Sequence, residues 1–318
     1  MRYRKLNQTD LEVSVICLGT VAFGTSVSKP QAFSQLDEFV AQGGNFIDTA
    51  HVYGDWGPGE KALSEKVVGE WMESRGYREK VVVSTKGGHP LLATMEVSRV
   101  NVEELETDLR GSLESLRSDT IDLYFLHRDN PQLPVAELID WLECQKANGK
   151  VRYYGCSNWS LPRIMEAQRY AQSKGYGGFV CDQIQDSLAD SNLAWMAKRQ
   201  MVVADNSFDR YHRQSGMNFM AYMAVAGGYF SKKEAHIPLP DQTRELYDLP
   251  QNEKMLEVMS TLKPYSVNDF CYQYILQRPY PSIPVTAFTT LEQMRDTIQC
   301  CTKDMPSELI TRVSAYKR

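Results

Sequence analysis

Ile121-Asp122-Leu123-Tyr124-Phe125-Leu126-His127 holds an unbroken apolar run, 123 to 126, closed by a histidine. A strand open to water on one face alternates apolar with polar, whereas an unbroken run marks a strand covered on both faces, as in a parallel sheet wrapped by helices. Upstream, Val81-Val82-Val83 reads the same way and leads into Ser84-Thr85-Lys86. Further apolar or β-branched runs end near Thr20, Asp48, Ser157, Gln183, Tyr222 and Thr286. That makes eight, spaced by 28, 38, 41, 30, 26, 39 and 64 residues, each enough for strand, loop, helix and return.

The segments between read as helices. Phe33, Leu36, Phe39 and Val40 share a face before Gly43-Gly44, where glycine accepts the left-handed C-terminal conformation. Asn101 with Glu103 and Glu104 opens a helix to Arg117, Pro134 one to Asn148-Gly149, and Ser160 with Pro162 one to Lys174-Gly175. Tyr3 to Leu6 and Leu11 to Val15 flank a polar turn and predict a short hairpin plugging one end of the barrel. No low-complexity linker divides the chain. The expected fold is α/β, a (β/α)8 TIM barrel with an N-terminal β-hairpin, as one domain over residues 1–318. Residues 227–251, with Gly227-Gly228, three prolines and little periodicity, read as a long working loop after the seventh strand.

At 318 residues, with 42% hydrophobic and 24% charged residues, the chain has ample core and resembles neither a disordered nor a membrane-spanning protein. Net charge is −5 and the basic residues are scattered, which argues against nucleic acid as a partner. The charged start, Met1 to Lys5, leads into a polar stretch and not into the apolar run of a secretory signal, so a cytoplasmic location is expected. Seven widely spread cysteines without CxxC spacing suggest reduced thiols. No GxGxxG follows the first strand and no HExxH occurs, so neither a Rossmann site nor a zinc site is expected.

Asp48, Lys86 and His127 stand at the carboxyl ends of expected strands, which converge on one rim in a closed barrel, and Tyr53 lies in the loop leaving the Asp48 strand. A phenol, with pKa ~10, donates a proton near neutrality only if a cation stabilises the phenolate left behind. Lys86 is the candidate cation, Asp48 the carboxylate that keeps it charged, and His127 the group that orients a substrate oxygen. Singly, each has a bland reading as packing, a solvated strand end or a satisfied rim histidine. Their recurrence over three successive units favours a site.

The blocks Asn45 to Ala50 with Tyr53-Gly54, Ser84-Thr85-Lys86, Asp122-Leu123-Tyr124 with Leu126-His127, and Gly149 to Arg152 with Gly155 and Ser157-Asn158 resemble the aldo-keto reductases. The resemblance implies a (β/α)8 barrel, a nicotinamide cofactor held without a Rossmann domain, and reduction of an aldehyde, ketone or sugar carbonyl or oxidation of the corresponding alcohol. It assigns the acid to Tyr53, supported by Lys86, Asp48 and His127. It gives Ser157, Asn158 and Gln183 to the nicotinamide amide, stacks Tyr222 on the ring, and adds Gln293 as a cofactor contact.

The chain departs from that pattern in two places. After Tyr222 it reads Met223-Ala224-Val225-Ala226-Gly227-Gly228 where many relatives have Ser, often Pro and then a basic residue. A side-chain contact to pyrophosphate is thus expected to be missing, with glycine amides as candidates to replace it. Residues Thr286 to Met294 contain no cation before Arg295 to meet a 2′-phosphate, so the cofactor is NADP(H) or NAD(H) without a preference. Substrate contacts are expected from loops at Trp56, His89, Arg128 and Trp159. The tryptophans read equally as an aromatic wall or as loop packing, and Arg128 as a carboxylate binder or a surface ion pair. Rival readings are a cofactor-binding regulatory or sensor subunit and a Lys86 Schiff-base aldolase.

Overall fold

Leu123 and Phe125 point into the barrel while Tyr124 and Leu126 pack outward against the helices, which is why the 123–126 run is apolar on both faces. This computed structural model describes residues 1–55 and 60–317. Its strands are β1 (Tyr3–Lys5), β2 (Glu12–Ser14), β3 (Cys17–Gly19), β4 (Phe46–Asp48), β5 (Val82–Gly87), β6 (Ile121–Leu126), β7 (Val151–Ser157), β8 (Cys181–Gln185), β9 (Asn218–Tyr222) and β10 (Ser282–Thr286). β3 to β10 pair in parallel and close into a barrel, β10 returning to β3. All eight barrel strands fall where the sequence places them.

The helices are α1 (Lys29–Ala41), α2 (Leu63–Arg75), α3 (Val102–Leu116), α4 (Val135–Ala147), α5 (Leu161–Ser173), α6 (Leu193–Ala197), α7 (Asn206–Ser215), α8 (Tyr229–Glu234), α9 (Asp241–Tyr247), α10 (Pro250–Ser260), α11 (Val267–Leu276), α12 (Leu291–Thr302) and α13 (Ser307–Ser314). Asn101 caps α3 by accepting from the Glu104 amide at 3.0 Å. Gly43, at φ +85°, lets the chain turn out of α1. None of these helices is long and apolar enough to cross a membrane.

The antiparallel hairpin β1–β2 covers the amino end of the barrel. Leu6, Leu11 and Val13 pack on the inward residues Phe46, Leu123, Phe125 and Met220, all essentially without exposure. Asn45 and Asn218 stitch it in place: Asn45 Oδ1 accepts from the Ser14 amide at 2.7 Å, and Asn218 Oδ1 from the Asn7 amide at 2.8 Å. With that end closed, access to the barrel axis is from the carboxyl ends.

Residues 227–251 differ from the irregular loop expected. A 3-10 turn at 226–228 leads into α8 and α9, and α10 starts at Pro250. Helices of six and seven residues are too short to show a repeating apolar face, and Gly228 and Pro240 at their starts give no side-chain cap. Tyr229, Phe230, Leu246 and Tyr247 are buried in a second core with residues of α10, α11 and α13.

Candidate active site

Along β5 the inward positions are Ser84 and Lys86, and β4 ends beside them in the register Asp48 opposite Ser84. Lys86, 1% exposed, donates from Nζ to Asp48 Oδ2 at 2.6 Å and to the Thr49 carbonyl at 2.7 Å. Asp48 Oδ1 accepts from Ser84 Oγ at 2.7 Å and Gln183 Nε2 at 3.0 Å. The carboxylate is thereby satisfied on both oxygens, which a buried ion requires.

Tyr53 reaches this pair from the turn after β4. The Tyr53 amide donates to the Ala50 carbonyl at 2.9 Å and Gly54 takes φ +95°, a conformation that favours glycine. The half-buried ring brings its hydroxyl to 3.4 Å from Lys86 Nζ. Burial pushes the phenol above its usual range, and the nearby ammonium pulls it back only in part. Burial also works to lower Lys86, but Asp48 and Tyr53 together outweigh it and leave the pKa raised. Lys86 is therefore an ammonium, and Tyr53 a protonated phenol, across the neutral range.

His127 continues the inward parity of Leu123 and Phe125 and stands edge-on to Tyr53, with ring centroids 6.0 Å apart. Burial, helped by His89, Arg128 and Lys86, drives its pKa well below the ordinary imidazole value, so the ring is neutral. His89, 4.7 Å from His127 between centroids, is lowered to about 4, chiefly by burial.

These groups border a cavity of about 510 Å³ at the carboxyl ends of the strands. Asp48, Tyr53, His127, Ser157, Asn158, Gln183, Tyr222, His89 and Arg128 line it, and Lys86 lies just beneath. Asn158 sits at φ +59°, which an asparagine tolerates, and accepts at Oδ1 from Tyr222 Oη at 2.6 Å. Two buried polar atoms on the wall, His127 Nδ1 and Arg128 Nε, have no hydrogen-bond partner. The Ser157 hydroxyl and the amide side chains of Asn158 and Gln183, gathered on the same wall as the Tyr222 ring, form a donor and acceptor set that suits a polar heteroaromatic ligand such as a nicotinamide.

Two expected contacts fall elsewhere. Trp159, 0% exposed, is not part of the cavity wall: its indole N–H donates to the Arg128 carbonyl at 3.0 Å and its ring packs edge-on against Phe179. It holds the loop, the packing alternative. Gln293 is exposed on the first turn of α12, its Oε1 accepting from the Thr289 amide at 3.0 Å, so its side chain serves the helix start and not the cavity. Trp56 lies outside the described residues. The Gly228 amide, a candidate phosphate ligand, already donates to the Val225 carbonyl at 2.8 Å, while Gly227 does border the cavity.

Sequence reasoning missed several residues. Ser84 was detectable, because it shares the inward face with Lys86 two positions on. Met201 and Gln242 come to the wall from distant segments without local signal. Lys232, on α8, donates to the Gly227 carbonyl at 2.7 Å, putting an exposed ammonium beside the turn where the sequence lacks a cation.

A model of the Aldo/keto reductase family matches residues 15–318. The chain is 30% identical over 320 residues to the uncharacterized oxidoreductase YrpG of Bacillus subtilis (strain 168), covering 98% of this chain and 94% of that one. It is 28% identical to norsolorinic acid reductase B of Dothistroma septosporum (strain NZE10 / CBS 128990), over 94% of this chain and 77% of that one. Among solved structures it resembles the holo form of aldo-keto reductase AKR11C1 from Bacillus halodurans, with a TM-score of 0.77 and 23% identity, covering 100% of this chain and 97% of that one.

Proposed function

The chain belongs to the aldo/keto reductase family, and from that premise we propose that it reduces a small aldehyde, ketone or sugar carbonyl, or oxidises the corresponding alcohol, with Tyr53 as the general acid or base. The observation that carries this reading is the placement of Lys86 Nζ between Asp48 Oδ2 and the Tyr53 hydroxyl at the cavity floor. When bound, NADP(H) or NAD(H) supplies or accepts the hydride.

The residues of the chain do the rest. Tyr53 gives its proton to the carbonyl oxygen as charge develops there, and the Lys86 ammonium stabilises the phenolate that remains. Asp48, fixed by Ser84 and Gln183, keeps Lys86 charged and in place. His127, neutral, hydrogen-bonds the same oxygen without competing as an acid. Ser157, Asn158 and Gln183 would hold the nicotinamide amide and Tyr222 would pack on its ring, while Gly227 and Lys232 would lie toward the phosphates. The rival sensor-subunit reading draws no support from the relatives.

Tyr53→Phe tests the assignment. Acid catalysis by a positioned group contributes ~10² to 10⁴ in rate, so turnover falls by at least that lower factor while NADH or NADPH still quenches protein fluorescence on binding. Near-wild-type turnover would rule out Tyr53 as the acid.

A further inference from the structure

Arg128 follows His127 at the carboxyl end of β6 and lines the cavity. Its Nε is buried without a partner, and its recorded side-chain bond runs from Nη1 back to the carbonyl of His127 at 2.9 Å. Among the described residues no carboxylate lies within ion-pair distance of it. The next residue, Asp129, is turned away to Arg163 at 3.2 Å. Elsewhere on the cavity floor the charge is balanced: Asp48 pairs with Lys86, and His89 and His127 are neutral. One guanidinium therefore supplies the uncompensated charge of a cavity whose other lining residues are neutral or paired, Val21, Val52, Met201 and Met223 among them.

A half-buried guanidinium whose Nε is shielded from water and has no counter-ion is destabilising unless the site is completed by an anion. Its position is also fixed. The buried Trp159 donates to the Arg128 carbonyl, and Phe179 and Arg163 pack against the indole ring. Fixing the backbone while leaving Nε unbonded offers an edge of the fork to a ligand, and that edge suits the two oxygens of a carboxylate.

We propose that the substrates are carbonyl compounds that also bear a carboxylate, and that Arg128 is the specificity-determining residue that receives it. The inference rests on the reductase reading above and narrows it to a substrate class. The hydride and proton steps are unchanged: the carboxylate is bound, not transformed.

The test compares 4-carboxybenzaldehyde with its methyl ester, and succinic semialdehyde with its methyl ester, as substrates of the wild type, Arg128→Met and Arg128→Lys, with both cofactors. The expected result is an acid-over-ester preference in kcat/KM in the wild type that falls roughly ten- to hundredfold in R128M, the scale of a charge-assisted hydrogen bond pair, and partly survives in R128K. Terephthalate, which cannot be reduced at an aldehyde, gives a readout free of turnover: titrated calorimetrically into the protein with and without cofactor, it binds the wild type more tightly than R128M. No acid preference in the wild type overturns the inference. So does an R128M effect that appears as weaker NADH or NADPH binding with the acid-to-ester ratio intact, since the guanidinium then serves the cofactor's phosphates. If the wild type reduces neither acids nor esters, the reductase reading falls, and the terephthalate titration alone decides on the anion site.

Discussion

Tyr53 and Lys86 set opposite demands on pH. The phenol, raised by burial, carries its proton throughout the neutral range, so with Tyr53 as the proposed acid carbonyl reduction is expected to vary little there. Alcohol oxidation needs the phenolate, whose fraction rises tenfold per pH unit below the pKa. We expect log kcat/KM for oxidation to climb with a slope near one on the alkaline side, and a flat profile would assign the base elsewhere. Lys86→Met strands Asp48 in the barrel, and losing one partner of a buried pair costs about 3–5 kcal/mol. Urea unfolding should show that loss, with part recovered by Asp48→Asn in the same chain. His89 predicts the acid limb. Its folded pKa of about 4 lies below the unfolded value of ~6.5, so between those values the unfolded chain binds more protons. Its contribution to stability is intact above pH 6.5 and is lost as pH falls toward 4, at up to about 1.4 kcal/mol per pH unit. His89→Asn should flatten the decline by that much, and an unchanged slope would contradict the neutral, buried state.

The elements were legible to the degree that their signals repeat. Strands β3 to β10 each carry an apolar run, and α1, α3, α4 and α5 carry a face or a cap, so all of these fall where the sequence predicts. Short helices escaped: α8 and α9 complete fewer than two full turns, and their start residues resemble those of a loop. Close packing between elements is likewise silent in the sequence. Gly69 on α2 lies against the end of α3, where an added Cβ would run into the Ser115 carbonyl and come within 2.8 Å of Leu116 Cα. Gly69→Ala is expected to cost about 1–3 kcal/mol by overpacking. Gly177→Ala, whose Cβ would meet only Lys146 Nζ at 3.8 Å, should stay within about 0.5 kcal/mol. Equal thermal midpoints for the two variants would refute the contact.

At the scale of the whole molecule, the barrel closes one end with the hairpin and leaves the other to the loops, and the cavity sits where strand ends from all around the ring converge. A ligand bound only by this closed form stabilises it. NADH or NADPH at a hundredfold its Kd should raise stability by about 2.7 kcal/mol, read as an upward shift of the thermal midpoint that is absent with adenosine alone. The cofactor giving the larger shift at equal concentration identifies the preference that residues 286–294 leave open. By itself the sequence determined the eight-fold alternation and the positions of Asp48, Tyr53, Lys86 and His127. Strand periodicity and strand ends are local patterns, and parity along a strand fixes which side chains face the axis. Only the tertiary structure decided that Trp159 holds the Arg128 loop from behind, that Gln293 is occupied at the start of α12, and that Met201 and Gln242 reach the wall. These depend on how segments far apart in the chain pack together, and no spacing within one segment encodes which neighbour a side chain meets.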